Sequence, residues 1–299
     1  MNQPPIFLEI ERQAKVRRIF QSVLEPCGVW DQVKDVELTL RPEVIVEPTH
    51  SKVLSDAVLN HMFPHAPQPA ELFHYTSIDS LKGIAKTGLL RLHWVHKRID
   101  QGELEPFAIK HRLKGYLDSS ESEPYFKTLS KDLFYISLTC PGGGDEFELW
   151  HAFALGGTGV RLRLLVNPSR AELRKIQYEP PAGTLLMELN STLAAEGEPP
   201  FVPWTVSKIG AFYLPSTLHR EDEVRLLIKR YPGGRDETEF DGQNRYWPLP
   251  IGQHNDFCGI RLLEIQCGPA AQRRDVLSAI AGTPFETTVP VTCAPQPQP

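Results

Sequence analysis

The stretch ELFHYTSIDSLKGIAKTGLLRLHW, Glu71 to Trp94, reads as a strand, a helix and a second strand in one short unit. LFHYT is a short run of apolar and β-favouring residues. Ser77 follows it, and a serine hydroxyl there can accept a bond from a free N–H of the first helical turn. Ile78, Leu81, Ile84 and Ala85 then recur at helical spacing and give one apolar face. Gly88 ends the helix, as glycine often does after a last turn. LLRLHWV resumes as a strand. The unit leaves His74 and Tyr75 side by side at a strand exit. Neighbours on a strand point to opposite faces. With Phe73 and Tyr75 turned to the core, His74 faces a cleft or solvent. The plainer alternative is a surface histidine beside a core tyrosine.

Upstream, residues 1–70 read as a helical N-terminal extension. FLEIERQAKVRRIFQSVL sets Phe7, Ile10, Ala14, Ile19 and Leu24 among charges, and SKVLSDAVLNHMF repeats the pattern. The Pro-rich connector PHAPQPAE marks a boundary near residue 70. Downstream, DLFYISLT (Asp132 to Thr139) is a strand, CPGGGDE a flexible loop, FELWHAFA (Phe147 to Ala154) a short helix and GGTGVRLRLLV a return to strand. AGTLLMELNSTLAAEG is a helix, EDEVRLLIK and GIRLLEIQCG are strands, and AAQRRDVLSAIAGT is a last helix. Strands scattered among helices without a βαβ rhythm predict an α+β domain over 71–286. Residues 287–299 form a Pro/Gln-rich tail expected to be disordered.

A net charge of −5 gives no general drive toward nucleic acid or acidic membranes, although a local basic cleft stays compatible with it. Five cysteines, an odd number without a CxxC pair, argue against a disulfide framework or a zinc knuckle and for a reducing compartment. The acidic residues of MNQPPIFLEIERQAK occupy the place of a signal peptide's apolar core. No run approaches the ~18 apolar residues of a membrane span. A cytoplasmic protein without membrane contact is expected.

Three features carry chemistry. In HREDEVRLLIK, alternation puts Val224, Leu226 and Ile228 on one face and Glu221, Glu223, Arg225 and Leu227 on the other. That second face is either a solvated surface with a weak ion pair or a cleft whose carboxylate meets a sugar hydroxyl and whose arginine meets an anion. GGGDEFELWHAFALGGTGV places a glycine-rich loop before a helix, which can cradle phosphate, but neither GxxxxGK[ST] nor GxGxxG is present. His93 and His96 stand three apart without a third ligand nearby, so no metal site is expected. GxSxG and HExxH are absent as well.

In combination the chain resembles the bacterial family catalogued as domain of unknown function 2971. The similarity lies in LFHYTSIDSLKGIAKTGLLRL, in Asp100 and Glu103 of IDQGE (Ile99 replaces the family's Asn), in FYISLT followed by Trp150, Gly156 and Gly159, and in Glu221, Glu223 and Arg225. It spans about residues 71–230. That family is distantly similar to ADP-ribosyltransferases, whose strand-rich split core clamps NAD. The resemblance implies the order His74, then Ser137 near Tyr135, then Glu223.

On that resemblance NAD is a substrate, and the nicotinamide–ribose bond breaks with positive charge growing on the sugar. Glu223 is the expected catalytic carboxylate, and Glu221 orients the nucleophile. His74 bonds a ribose hydroxyl, Arg225 or Arg91 pairs with the pyrophosphate, and Tyr135, Tyr75 and Trp150 compete to cover nicotinamide. The acceptor is a protein, a nucleic acid or a small molecule, and a toxin or anti-phage effector fits the family's settings. The alternative is a catalytically silent module that binds a nucleotide or partner through the same cleft.

Overall fold

The computed structural model describes residues 5–111, 113, 119–120, 123–179, 183–231, 233–234 and 236–294. The chain divides into two compact units that alternate along the sequence. One holds Met1–Pro64, Ile99–Ser130 and Gln177–Ser216, and the other His65–Arg98, Lys131–Ile176 and Thr217–Pro299. The expected division into a contiguous extension 1–70 and a domain 71–286 is therefore replaced by interleaved segments. The reason is burial. Val16, Ile19, Phe20, Val23 and Leu24 of the helix Pro5–Leu24 are all covered. The cover is the later helix Leu185–Ala195, with Phe201 edge-on to Phe20 at 5.3 Å.

In this first unit the helix Val53–Met62 has no side-chain cap from Lys52 before it. Buried Glu47 supplies the anion instead, accepting from the N–H groups of Leu54 (2.8 Å) and Ser55 (2.6 Å) at the positive end of the helix. His111, only 3% exposed, donates Nδ1–H to the Phe107 carbonyl at 2.9 Å. Its Nε2 accepts from the Thr184 hydroxyl at 2.7 Å, and the same hydroxyl accepts from Met187 N–H to cap its helix. Burial pushes the His111 ring down to about 4, against a smaller opposing effect of the Phe107 carbonyl. Below its ordinary pKa near 6.5 the unfolded chain binds a proton that the folded ring refuses. Stability present above that pH is therefore lost as pH falls toward 4. Lowering the pH from 7 to 5 should cost about 2 kcal/mol through this ring. Urea titrations of wild type and His111→Gln check it, because the difference in pH slope should vanish in the variant.

The second unit is built on a mixed sheet of ten strands. They are β1 (Ala70–Thr76), β2 (Leu89–Trp94), β3 (Leu133–Thr139), β4 (Val160–Pro168), β5 (Glu172–Lys175), β6 (Glu223–Lys229), β7 (Glu239–Phe240), β8 (Arg245–Pro250), β9 (Cys258–Cys267) and β10 (Val291–Cys293). The main path runs β7-β8-β2-β3-β1-β4-β9-β10, while β6 lies along β3 and carries β5. All pairs are antiparallel except β9 with β10. Helices α1 (Ile78–Thr87) and α3 (Arg273–Ile280) cover one face, and α2 (Glu146–Phe153) sits near the other. The chain is thus an α+β mixture with a large mixed sheet.

Local sequence explains much of this. Ser77 Oγ accepts from Ser80 N–H at 3.0 Å, and Gly88, at φ +70°, closes α1 with its N–H on the Ile84 carbonyl at 2.7 Å. Leu81, Ile84 and Ala85 of α1 and Val276 and Ile280 of α3 bury Leu72, Leu92, Ile136, Leu162 and Leu226 of the sheet. Each large apolar side chain so removed from water contributes roughly 1.5–3 kcal/mol.

Two further segments join the sheet. RYWPLP forms β8 between β7 and β2 although two prolines lack the N–H of a ladder donor. Buried Trp247 and Leu249 hold it in place. The tail is not wholly irregular, because Val291–Cys293 pairs parallel with Ile265–Cys267. Residues 295–299 of that tail lie outside the described residues. Among the described residues no helix is long and apolar enough to cross a membrane.

Candidate functional site

The site grows from β3. Its alternation sends Phe134, Ile136 and Leu138 into the main core and Tyr135, Ser137 and Thr139 to the other face. β6 follows one edge of β3 for its whole length, with Glu223 opposite Thr139, Arg225 opposite Ser137 and Leu227 opposite Tyr135. The other edge is shared. β1 reaches it only at Thr139, through Phe73, and β2 only at Phe134 and Tyr135. Between these contacts the sheet is split at Ile136–Leu138. His74 bridges the split, its Nδ1–H donating to the Ser137 carbonyl at 3.1 Å. A carbonyl only accepts, so the proton sits on Nδ1 and Nε2 keeps its lone pair.

A cavity of about 190 Å³ opens beside the split. His74, Tyr75, Tyr135, Ser137, Glu221 and Glu223 line it, together with His93, Arg98 and Phe153. Glu223 is held from two sides. Its Oε1 accepts from Ser137 Oγ at 2.6 Å and from Arg225 Nε at 2.9 Å, and its Oε2 accepts from Arg225 Nη2 at 3.3 Å. Arg225 in turn lies 3.9 Å above the Tyr135 ring. Glu223 is 3% exposed and Arg225 1%, so the shared face of β6 is a buried ion pair and not a solvated surface.

Burial pushes the His74 ring below its ordinary pKa, partly offset by the Ser137 carbonyl. His93 is also lowered, by desolvation first and then by Arg98, His74 and Lys97, although its outer edge stays open to solvent. Both rings are therefore neutral near pH 7. Arg98 is then the one Lys or Arg among the described lining residues.

Several expected roles change. Tyr75 belongs to a small core beside the cavity. It is buried against Trp150 of α2, edge-on at 4.9 Å, and its hydroxyl accepts from Arg161 at 3.1 Å. Trp150, 5% exposed, belongs to the same small core with Leu149 and Ala154 and does not line the cavity. Arg91 pairs with Asp241 at 3.4 Å and lies 4.4 Å over the Tyr246 ring, outside the cavity lining. Arg225 is paired with Glu223, and Arg98 lines the cavity where neither Arg91 nor Arg225 does. Phe153, 38% exposed, has more open surface than either tyrosine of the lining. Glu221 is not on the strand. It ends a short 3-10 helix (Ser216–Glu221), and Asp222, at φ +44° and bonded to Lys175 at 2.6 Å, turns the chain into β6.

The glycine loop lies against the turn that leads into β6. Asp145 N–H donates to the Arg220 carbonyl, and a Cβ on Gly144 would come within 3.0 Å of the Glu221 carbonyl oxygen. Asp145 also caps α2, accepting from Phe147 and Glu148 N–H.

No motif marks Arg98 or Phe153 in the sequence, and the spacing of His93 from His96 points only to half of a metal pair.

No protein-family model matches the chain, and comparisons with curated proteins and with solved structures return no match.

The bridge across the split gives a direct test. His74→Ala leaves the Ser137 carbonyl without its donor, which should cost about 1 kcal/mol. If His74 also meets a bound ribose, NAD binding should weaken about tenfold beyond that. Chemical denaturation and calorimetric titration of the same preparation separate the two effects.

Proposed function

We propose that the cavity is the nicotinamide end of an NAD site and that the protein is an ADP-ribosyltransferase-like enzyme, as its resemblance to the domain of unknown function 2971 family implies. The supporting observation is the convergence of His74, Ser137 and Glu223 from three strands on one split of the sheet. Glu223 faces the sugar carbon that gains charge as the nicotinamide bond breaks, and its mounting on a buried strand limits reorganisation during the reaction. His74 Nε2 accepts from a ribose hydroxyl, Arg98 meets the pyrophosphate, and Phe153 covers the ring. A volume near 190 Å³ suits a nicotinamide and part of its ribose rather than a whole dinucleotide.

One observation favours the silent module as a second reading. Arg225 already neutralises Glu223, which lowers the field that the carboxylate offers to a growing cation. Titration with NAD followed by a nicotinamide-release assay decides between them. Binding with release supports the enzyme, binding without release supports a nucleotide-binding module, and no binding removes the enzyme and leaves the module only its partner-binding form.

A further inference from the structure

β9 and β10 run parallel along one edge of the sheet, and their register sets Cys267 beside Cys293. Adjacent strands lie about 4.8 Å apart, inside the ~4.4–6.8 Å between Cα atoms that a disulfide spans. Residues paired in this way project from the same side of a sheet, and Cys293 is close enough to Cys267 to act on its thiol. Cys293 is exposed and Cys267 buried, and both are free thiols. Neither Cys140 nor Cys258 shares a register position with them, and Cys27 belongs to the other unit.

We propose that Cys267 and Cys293 are a modification site, a dithiol that closes reversibly to a disulfide and staples the last strand to the sheet. The co-reactant is a small disulfide such as oxidised glutathione. The exposed Cys293 thiolate attacks one sulfur of it and releases one glutathione thiolate. Cys267 then loses its proton to solvent and attacks the Cys293 sulfur of the mixed disulfide, releasing the second glutathione. Two protein thiols are oxidised and one small disulfide is reduced, so the electrons balance. Burial raises the Cys267 thiol, so its thiolate is scarce and its attack is the slower of the two exchanges. A buried resolving thiol beside an exposed entry thiol also confines the chemistry to this pair.

The staple has a path to the cavity. Ala294 donates its N–H to the Cys267 carbonyl at 2.9 Å and packs against the small core of Tyr75, Leu149, Trp150 and Ala154. Tyr75 and Leu149 of that core line the cavity. Closing the disulfide pins the residue that covers this wall.

The test uses the full chain equilibrated with oxidised or reduced glutathione, quenched by alkylation in denaturant and digested without reduction. Mass spectrometry should find one cross-linked peptide joining Cys267 and Cys293, with Cys27, Cys140 and Cys258 alkylated. Oxidation should raise the melting temperature by roughly 5 °C, and dithiothreitol should reverse it. Cys293→Ser, a change at an exposed position, should fold, lose the cross-link and melt like the reduced wild type. Full alkylation of both cysteines after oxidation would overturn the proposal. So would Cys293 recovered only as the glutathione adduct, or only linked to a second copy of the chain.

Discussion

Glu223→Gln should lower nicotinamide release from NAD about 100-fold or more while NAD affinity changes little. The substitution keeps size and an accepting oxygen and removes the charge that would face the sugar carbon. Its effect on stability is separable and also large. Buried Arg225, 1% exposed, would lose its ion pair with this carboxylate, and breaking a buried pair typically costs about 3 kcal/mol. Turnover is therefore compared at a temperature where circular dichroism shows both proteins folded. Ser137→Ala supplies a second arm. It removes the hydroxyl 2.6 Å from Glu223 Oε1 without creating a buried charge, and release should fall about tenfold with little change in melting. Glu221→Gln should fall less, or lose transfer while keeping NAD hydrolysis, as its place at the end of a 3-10 helix by the cavity suits the acceptor. Wild-type turnover in both Glu223→Gln and Ser137→Ala would remove the chemical basis of the enzyme reading.

Gly159→Ala should destabilise the protein by about 3 kcal/mol or more. A Cβ at this position would lie 2.3 Å from the Thr76 carbonyl oxygen and 3.1 Å from both Ala154 Cα and Cβ. The obstacle is backbone on one side, so no rotamer change relieves it. Thr76 pairs with Val160 at the end of β1, two residues beyond His74, and the displaced strand end would carry the site with it. Gly156, three residues earlier, gives the contrast. It sits at φ +67° with open space around its Cβ position, so Gly156→Ala should cost only about 1 kcal/mol from the left-handed conformation. Urea titrations of the two variants test the difference. Equal losses of about 1 kcal/mol would show that the turn absorbs the added methyl group.

The local signals in the chain were readable where periodicity and capping chemistry act over a few residues. Ser77 and Gly88 bound a helix in the structure as their hydrogen-bonding and φ preferences require. Val224, Leu226 and Ile228 enter the core and leave Glu223 and Arg225 together on the other face. β8 was hidden because its two prolines speak against a strand locally, while packing of Trp247 and Leu249 overrides them.

By itself, then, the amino-acid order determined which side chains share a face and where elements start and stop, because backbone geometry repeats every two or 3.6 residues. What covers each face was a matter for the tertiary structure. It turned the Glu223–Arg225 pair from a candidate surface contact into a buried one, sent Trp150 into a small core and Arg91 to Asp241, and brought Arg98 and Phe153 to the cavity. It also set His74 across the split in the sheet. Those outcomes depend on which distant strands meet. β3 draws partners from β1, β2 and β6, and a pairing between residues some sixty to ninety positions apart, such as His74 with Ser137 or Ser137 with Glu223, leaves no periodic trace in the sequence.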